Sequence, residues 1–300
     1  MDIARRIEGA LKAALDSVSS ADAETPPTLI EATRHAVFPG GGRLRPQLCL
    51  SVALACGDRA PAFAEAAAAA IEMLHCASLV HDDLPCFDDA PLRRGLPSVH
   101  HAFGEPLAVL AGDQLIVLAF ETLARGAEGC PARLPKMIET VARGVGMPRG
   151  IIAGQAWESE PRIPVSTYRR EKTGALFEAA AAAGALAAGE NGSAWRLFGA
   201  RVGEAYQIAD DIQDVVGTSA SLGKPVGRDS MLGRPNAATR LGIEGSSRLL
   251  EQLVRDAIEA MPPCERPEAV VTWLRYLCEK LSPRSHGYAP LAHDMESGAA

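Results

Sequence analysis

PAFAEAAAAAIEMLHCASLVHDDLPCFDD, residues 61–89, decides the reading of the fold. Alanine, the strongest helix former, dominates its first half. One long helix is therefore expected from about residue 61 to Asp82-Asp83, where Pro85 stops it. Glu65, Glu72 and His75 interrupt its apolar character, and a membrane span needs about 20 strongly apolar residues, so no transmembrane segment is expected here. The alanine-rich stretch at 175–189 reads the same way.

The rest of the chain repeats this pattern. Ile3, Ile7, Ala10, Leu11, Ala14 and Leu15 recur at three-to-four spacing, which predicts an amphipathic helix over 3–18. Pro26-Pro27 closes that region, and Pro39-Gly40-Gly41-Gly42 is a loop before an apolar helix at about 46–56. Further helices are expected at 106–126, 133–146, 166–189, 194–215, 246–260 and 267–281. Proline-bearing turns at 148, 161–164, 225 and 262–263 separate them. No Val/Ile alternation is long enough for a strand. The 300 residues allow two domains at about 150 each, but the unbroken helical pattern favours one all-α domain over 1–300.

Composition narrows the function. Apolar residues at 47% and charged residues at 22% exclude a disordered chain, and aromatics at only 5% favour helix over sheet. Thirty basic against 37 acidic side chains give −7, with no Lys/Arg run, so nucleic acid is not an expected partner. The seven cysteines are scattered, odd in number and without a CxxC pair. That argues against disulfides and zinc and fits reduced thiols in a cytoplasm. The charged first 20 residues do not read as a signal peptide.

Chemistry concentrates in two acidic clusters, HDDLPCFDDAPLRR over 81–94 and QIADDIQD over 207–214. Asp210 and Asp214 are four apart and share a helix face, with Gln207 three before Asp210. Asp82 ends its helix, and the Leu-Pro-Cys-Phe loop can bring Asp88 back beside it. Either cluster alone could be a solvated acidic helix end. Both, however, follow apolar helices, use the short Asp, and have cations nearby in sequence. Facing short carboxylates suit a hard cation such as Mg²⁺, which takes oxygen ligands and substrate phosphate. Arg43, Arg45, Arg93, Arg94, Lys172 and Lys224 could receive phosphate oxygens. Together they point to a diphosphate neutralised so that it can leave.

HDDLPCFDDAPLRRG, AYQIADDIQD, GGGRLRP, the KTG at 172–174 and LGKPVGRD resemble, in order and spacing, the trans-isoprenyl diphosphate synthases, over about 36–235. The flanking MLHCASLVHDDLPCFDDAPLRRG and HHAFGEPLAVLAGDQLIVLAFETL look most like bacterial geranylgeranyl diphosphate synthases of carotenoid and photosynthetic-pigment pathways. The resemblance implies a helical bundle around a central cavity and a homodimer. It also implies condensation of isopentenyl diphosphate with an allylic diphosphate (dimethylallyl, geranyl or farnesyl), giving geranylgeranyl diphosphate and releasing diphosphate. Asp82 and Asp88, with Asp83 in support, would hold two Mg²⁺, and Asp210, helped by Asp214 in the motif that includes Asp211, a third. Arg93 would contact the allylic diphosphate, and Arg94, Arg45 and His75 that of isopentenyl diphosphate. Lys172 and Lys224 would reach the leaving diphosphate, and Thr173 and Gln207 would face the developing cation. The chain-length positions would be Leu74, Ala77 and Ser78.

The pattern departs from the family at several places. Gly42 stands where the family carries lysine, Arg228 and Arg234 replace lysines, and Glu158 stands where aspartate is common. Competing readings are a farnesyl diphosphate synthase, a non-catalytic synthase subunit, a class I terpene cyclase and an HD-type phosphohydrolase. The cyclase would carry an Asn/Asp-Ser/Thr-Glu second motif. The phosphohydrolase leaves the second aspartate motif and the Arg93-Arg94 pair unexplained, and intact Asp82, Asp88, Asp210 and Asp214 argue against a non-catalytic subunit.

Overall fold

Helix α4, Pro61–Asp82, is the spine of the molecule, and its alanines are buried from Ala66 to Ala70. The computed structural model describes residues 2–19, 24–38, 40–216 and 236–281. Before α4 come α1 (Ile3–Asp16), α2 (Pro27–Val37) and α3 (Leu44–Ala55). After it come α5 (Val99–Phe103), α6 (Glu105–Gly126), α7 (Leu134–Val145), α8 (Ile151–Ala156) and α9 (Val165–Arg169). A π-helical turn, Arg170–Gly174, leads into α10 (Ala175–Ala188), followed by α11 (Arg196–Val216), α12 (Ala237–Glu259) and α13 (Pro267–Leu281).

The elements follow from local chemistry. In α1 the Asp2 carboxylate caps the Ala4 amide at 3.0 Å, and Ile7, Leu11, Ala14 and Leu15 turn inward at helical spacing. The alanine helices pack closely because nothing larger than a methyl group separates them. A Cβ on Gly126 of α6 would lie 2.3 Å from that of Ala66, and one on Gly184 of α10 would lie 2.2 Å from the Cys49 carbonyl oxygen. Phe63, Leu74, Phe177 and Phe198 fill the remaining space, each burial stabilising by about 1.5–3 kcal/mol. By length and hydropathy α4 and α6 would pass as membrane spans, yet most of α4 is covered by its neighbours in the bundle.

The structure corrects several expectations. Pro27 opens α2 rather than closing a region, because proline is tolerated at the first helical position. The short helices α5 and α8 were not legible, and the helix expected at 166–189 is divided by the π turn. The helix expected from 246 begins at Ala237, where Asn236 caps the Thr239 amide, and it kinks at Gly242 with φ 69°. A two-residue ribbon also exists: β1 (Leu92–Arg93) pairs antiparallel with β2 (Leu96–Pro97). Burial holds the Cys49, Cys56 and Cys76 thiols up to about 12, as expected for reduced packing cysteines.

Candidate active site

Four helix ends converge on one place. Arg45, in the first turn of α3, stacks 4.6 Å over Phe177 of α10 and 5.7 Å from Tyr206 of α11. Its Nη1 lies 3.4 Å from His75 Nε2 on α4. The C-terminal ends of α4 and α11, which carry the two aspartate clusters, therefore open onto the same end of the bundle as the starts of α3 and α10.

At the end of α4 the adjacent aspartates do different things. Asp83 is buried, and Arg93 Nε donates to its Oδ2 at 3.0 Å while Nη2 donates to Oδ1. Asp83 is thus the positioning partner of Arg93. Asp82 points elsewhere. Its Oδ1 is buried without a hydrogen-bond partner among the described residues, and Lys172 Nζ stands 3.6 Å away. Burial pushes the Asp82 carboxyl above the usual range; Lys172 opposes this, while Asp88 and Glu158 add to it. The Asp88 amide donates to the Asp82 carbonyl at 3.0 Å, so the loop does fold Asp88 back onto the helix end. A buried, under-satisfied carboxylate with a second carboxylate close by suits a hard cation.

One short segment ties the two clusters together. From α9 and the π turn, Arg169 donates to Asp211 Oδ2 at 2.7 Å, while Lys172 reaches toward Asp82. Lys172 also pairs at 2.6 Å with Glu158, which accepts from Tyr168 Oη at 2.5 Å and Gln155 Nε2 at 3.2 Å. The widened π turn that carries Lys172 and Thr173 is pressed between neighbours. A Cβ on Gly154 would lie 2.4 Å from the Lys172 amide nitrogen, and one on Gly203 would lie 2.8 Å from Gly174 Cα. π turns of this kind concentrate at functional sites.

In the second cluster the neighbours again diverge. Asp211 is buried and accepts from Arg169, from Gln207 Nε2 at 3.2 Å and from the Ala237 amide at 2.7 Å, which caps α12. Gln207, three before Asp210 in sequence, pairs through its amide nitrogen with Asp211. Its amide nitrogen is thereby committed, and the carbonyl oxygen is the acceptor it offers. Asp210 is half-buried, one helical turn from the buried Asp214.

The basic residues are also sorted by burial. Arg94 and Gly95 occupy the turn between β1 and β2 at φ 54° and 79°, a primed hairpin turn that sets the two arginines side by side. Arg94 Nη1 donates to the Gly40 carbonyl, and its guanidinium lies where a Cβ on Gly41 would be, so that loop needs glycine there. Burial, and then the Arg45 charge, hold His75 well below its ordinary value, so it is neutral at physiological pH. Arg45 Nε is buried without a partner among the described residues. Arg43 turns inward: Nε donates to Glu8 at 2.9 Å, Nη1 to the buried Glu72 at 2.8 Å, and Nη2 to the Val37 carbonyl at 2.8 Å. Its guanidinium is buried and its charge is paired with two carboxylates, Glu8 and Glu72, rather than offered to a phosphate. Lys224, Arg228, Arg234 and the whole LGKPVGRD motif lie outside the described residues.

The chain-length positions lie on two faces of α4. His75, Ser78 and Asp82 line one partly open face, and Ser78 Oγ donates to the His75 carbonyl at 2.8 Å. Leu74 and Ala77 are buried, three residues apart, on the face that carries His81 four residues further on. The His81 ring occupies the space beside Gly112 of α6, so this face looks onto α6. Glu158, Tyr168, Arg169 and Asn236 complete the site and were not singled out for it. The only sequence signal for them was the acidic residue at 158 after Gly154-Gln155.

A family model described as polyprenyl synthetase matches residues 26–269. A geranylgeranyl diphosphate synthase of Cereibacter sphaeroides is 50% identical over 283 residues, which cover 94% of this chain and 98% of that one. Among solved structures, geranylgeranyl pyrophosphate synthetase from Pyrococcus horikoshii aligns with TM-score 0.75 at 30% identity, covering 94% of this chain and 98% of that one. A Helicobacter pylori geranyltransferase complexed with magnesium and isoprenyl diphosphate aligns with TM-score 0.75 at 27% identity, covering 93% and 98%.

Proposed function

The chain belongs to the polyprenyl synthetase family, and from that membership we propose that it condenses isopentenyl diphosphate with an allylic diphosphate, releasing diphosphate and making geranylgeranyl diphosphate. It is a prenyltransferase of the geranylgeranyl diphosphate synthase kind. One observation supports the site assignment above the others. A single turn of chain joins Arg169 to Asp211 and Lys172 to Asp82, so both acidic motifs face one cleft around a buried, under-satisfied carboxylate.

In this reading Asp82, Asp88, Asp210 and Asp214 hold Mg²⁺, three ions per site. When bound, Mg²⁺ neutralises the diphosphate and makes it a better leaving group. Arg93, locked by Asp83, and Lys172, steered by Glu158, hold the allylic diphosphate. Arg45, Arg94 and neutral His75 hold isopentenyl diphosphate, His75 as a hydrogen-bonding group without charge. Thr173 and Gln207 turn oxygen lone pairs toward the allylic carbon as its bond to oxygen breaks, which is electrostatic stabilisation of the transition state. The proton lost after the carbon–carbon bond forms goes to departing diphosphate, so no side-chain nucleophile is required. The whole chain, 1–300, acts as one domain in the cytoplasm, supplying a carotenoid or photosynthetic-pigment pathway.

Product analysis tests this. Purified protein with isopentenyl diphosphate and each allylic primer is expected to release diphosphate only with Mg²⁺ and to accumulate a twenty-carbon product. A fifteen-carbon product would make it a farnesyl synthase, and no turnover would make it a non-catalytic subunit.

Two further expectations arise here. Because Arg43 is committed to Glu8 and Glu72, nothing from that residue replaces the lysine absent at Gly42. A charge-assisted hydrogen bond contributes about 1.5–3 kcal/mol, so Gly42→Lys should lower KM for isopentenyl diphosphate roughly tenfold or more. An unchanged KM in the folded variant would mean that Arg45 or Arg94 already fills the role. The second concerns the homodimer. Val109, Leu110 and Val117 are exposed along α6, Val117 at 62%, with the exposed Asp113 between them, and these apolar side chains are where a second copy of the chain would pack. Val117→Glu is expected to shift the dimer to monomer in light scattering; a dimer of unchanged stability would place the interface elsewhere.

A further inference from the structure

Beside the aspartate-rich loop, and apart from the residues assigned to diphosphate, two histidines and a carboxylate converge. Asp89 ends the loop in the left-handed region, φ 44°, its amide donating to the Leu84 carbonyl at 3.1 Å. His100 lies on the short helix α5. Its side chain is only 6% exposed, and its Nε2 is buried without a hydrogen-bond partner among the described residues, 3.6 Å from Asp89 Oδ1. His101 follows it, exposed, with its ring folded back to 4.5 Å from that of His100. One ligand atom from each of the three lies within 4.8 Å of the others. On the far side of the His100 ring, Nδ1 is 3.1 Å from the hydroxyl of Ser98, which is itself buried.

We propose that Asp89, His100 and His101 form a binding site for a borderline transition-metal dication of the Zn²⁺ class, distinct from the Mg²⁺ sites on Asp82 and Asp210. The donor set decides the class of metal. Imidazoles with one carboxylate suit Zn²⁺, Co²⁺ or Ni²⁺, whereas Mg²⁺ takes oxygen ligands and keeps much of its water. The geometry is close to what a tetrahedral ion needs. Ligand atoms about 2.0–2.1 Å from Zn²⁺ are about 3.3–3.4 Å apart, and the Asp89–His100 edge already measures 3.6 Å. The exposed His101 closes the remaining edges by side-chain rotation, and a water or anion takes the fourth position. Ser98 supplies the outer contact common to metal-bound histidines: by accepting from Nδ1–H it leaves the Nε2 lone pair free for metal. The ion would clamp the end of the aspartate loop to α5.

The rival account is a plain His100–Asp89 pair, in which His101 has no part. Co²⁺ separates the two, because its visible band is intense in a low-coordinate nitrogen site and weak in an octahedral oxygen site. The full-length protein, with Mg²⁺ in large excess and no substrate, would be titrated with Co²⁺ and, in parallel, with Zn²⁺ by calorimetry. One equivalent with an intense band is expected, along with a metal-dependent rise in melting temperature. His101→Ala should abolish the band and the melting shift while keeping Mg²⁺-dependent turnover. Ser98→Ala should weaken the affinity roughly 10–100-fold. Either of two results would overturn the site: only the weak octahedral band in wild type, which places Co²⁺ on the catalytic aspartates, or the same intense band in His101→Ala.

Discussion

Asp82→Ala and Asp210→Ala should each lower kcat by several orders of magnitude while the protein stays folded. The carboxylates act on charge that grows as the allylic carbon–oxygen bond breaks, so the loss falls on kcat more than on KM. For Asp82 the structure adds a second expectation. Its Oδ1 is buried without a hydrogen-bond partner among the described residues, and burial raises its carboxyl above the ordinary value. The folded state then binds a proton more readily than the unfolded state. The resulting destabilisation is absent at low pH and grows as pH rises through the raised value. Asp82→Asn should therefore melt higher than wild type in EDTA at neutral pH, with the advantage shrinking in acid, although it is inactive. Melting curves at two pH values and single-turnover rates check both halves. A variant within tenfold of wild type in kcat, or one that melts lower at neutral pH without metal, would show that Asp82 is not a cation ligand.

Ala77→Tyr should shift the main product from twenty carbons to fifteen. Ala77 lies five residues before Asp82, about 7 Å down the helix at 1.5 Å per residue. It is 1% exposed and shares the α6-facing side of α4 with His81 and Leu74. In the family resembled, a large aromatic at this position goes with a fifteen-carbon stop. A phenol at 77 would project from α4 toward α6, where the proposed reading places the path of the growing tail. Chromatography of the extracted prenyl alcohols reads the outcome. A folded Ala77→Tyr enzyme that still makes twenty carbons would put the floor elsewhere; Ser78, on the neighbouring face toward the cleft, is the next position to fill.

Much of this was written in the chain order. Alanine-rich apolar runs of more than two turns have no stable alternative to helix, so α1, α3, α4, α6, α7, α11 and α13 were legible to within a few residues. The aspartate motifs were legible because their spacing on a helix fixes which carboxylates share a face. Elements of five or six residues, such as α5 and α8, carry too few apolar positions to show a period, and α2 was hidden by a proline that can end a helix or begin one.

What sequence by itself determined was the class of fold and the two acidic poles, since both depend on local periodicity. What only tertiary structure decided was the division of labour within each pole. Asp82 and Asp83 are the same residue type one position apart, as are Asp210 and Asp211. Successive helical residues point about 100° apart, so which one meets an arginine depends on the packed neighbours. Arg93 claims Asp83, and Arg169, arriving from 42 residues away, claims Asp211. Arg43 and Arg45, two apart in one motif, part in the same way: one is spent on a buried glutamate, and the other is left facing the cleft beside His75. Long-range partners of this kind leave no mark in the local sequence, because a charged side chain reads the same whether its counter-ion is water, substrate or a distant helix.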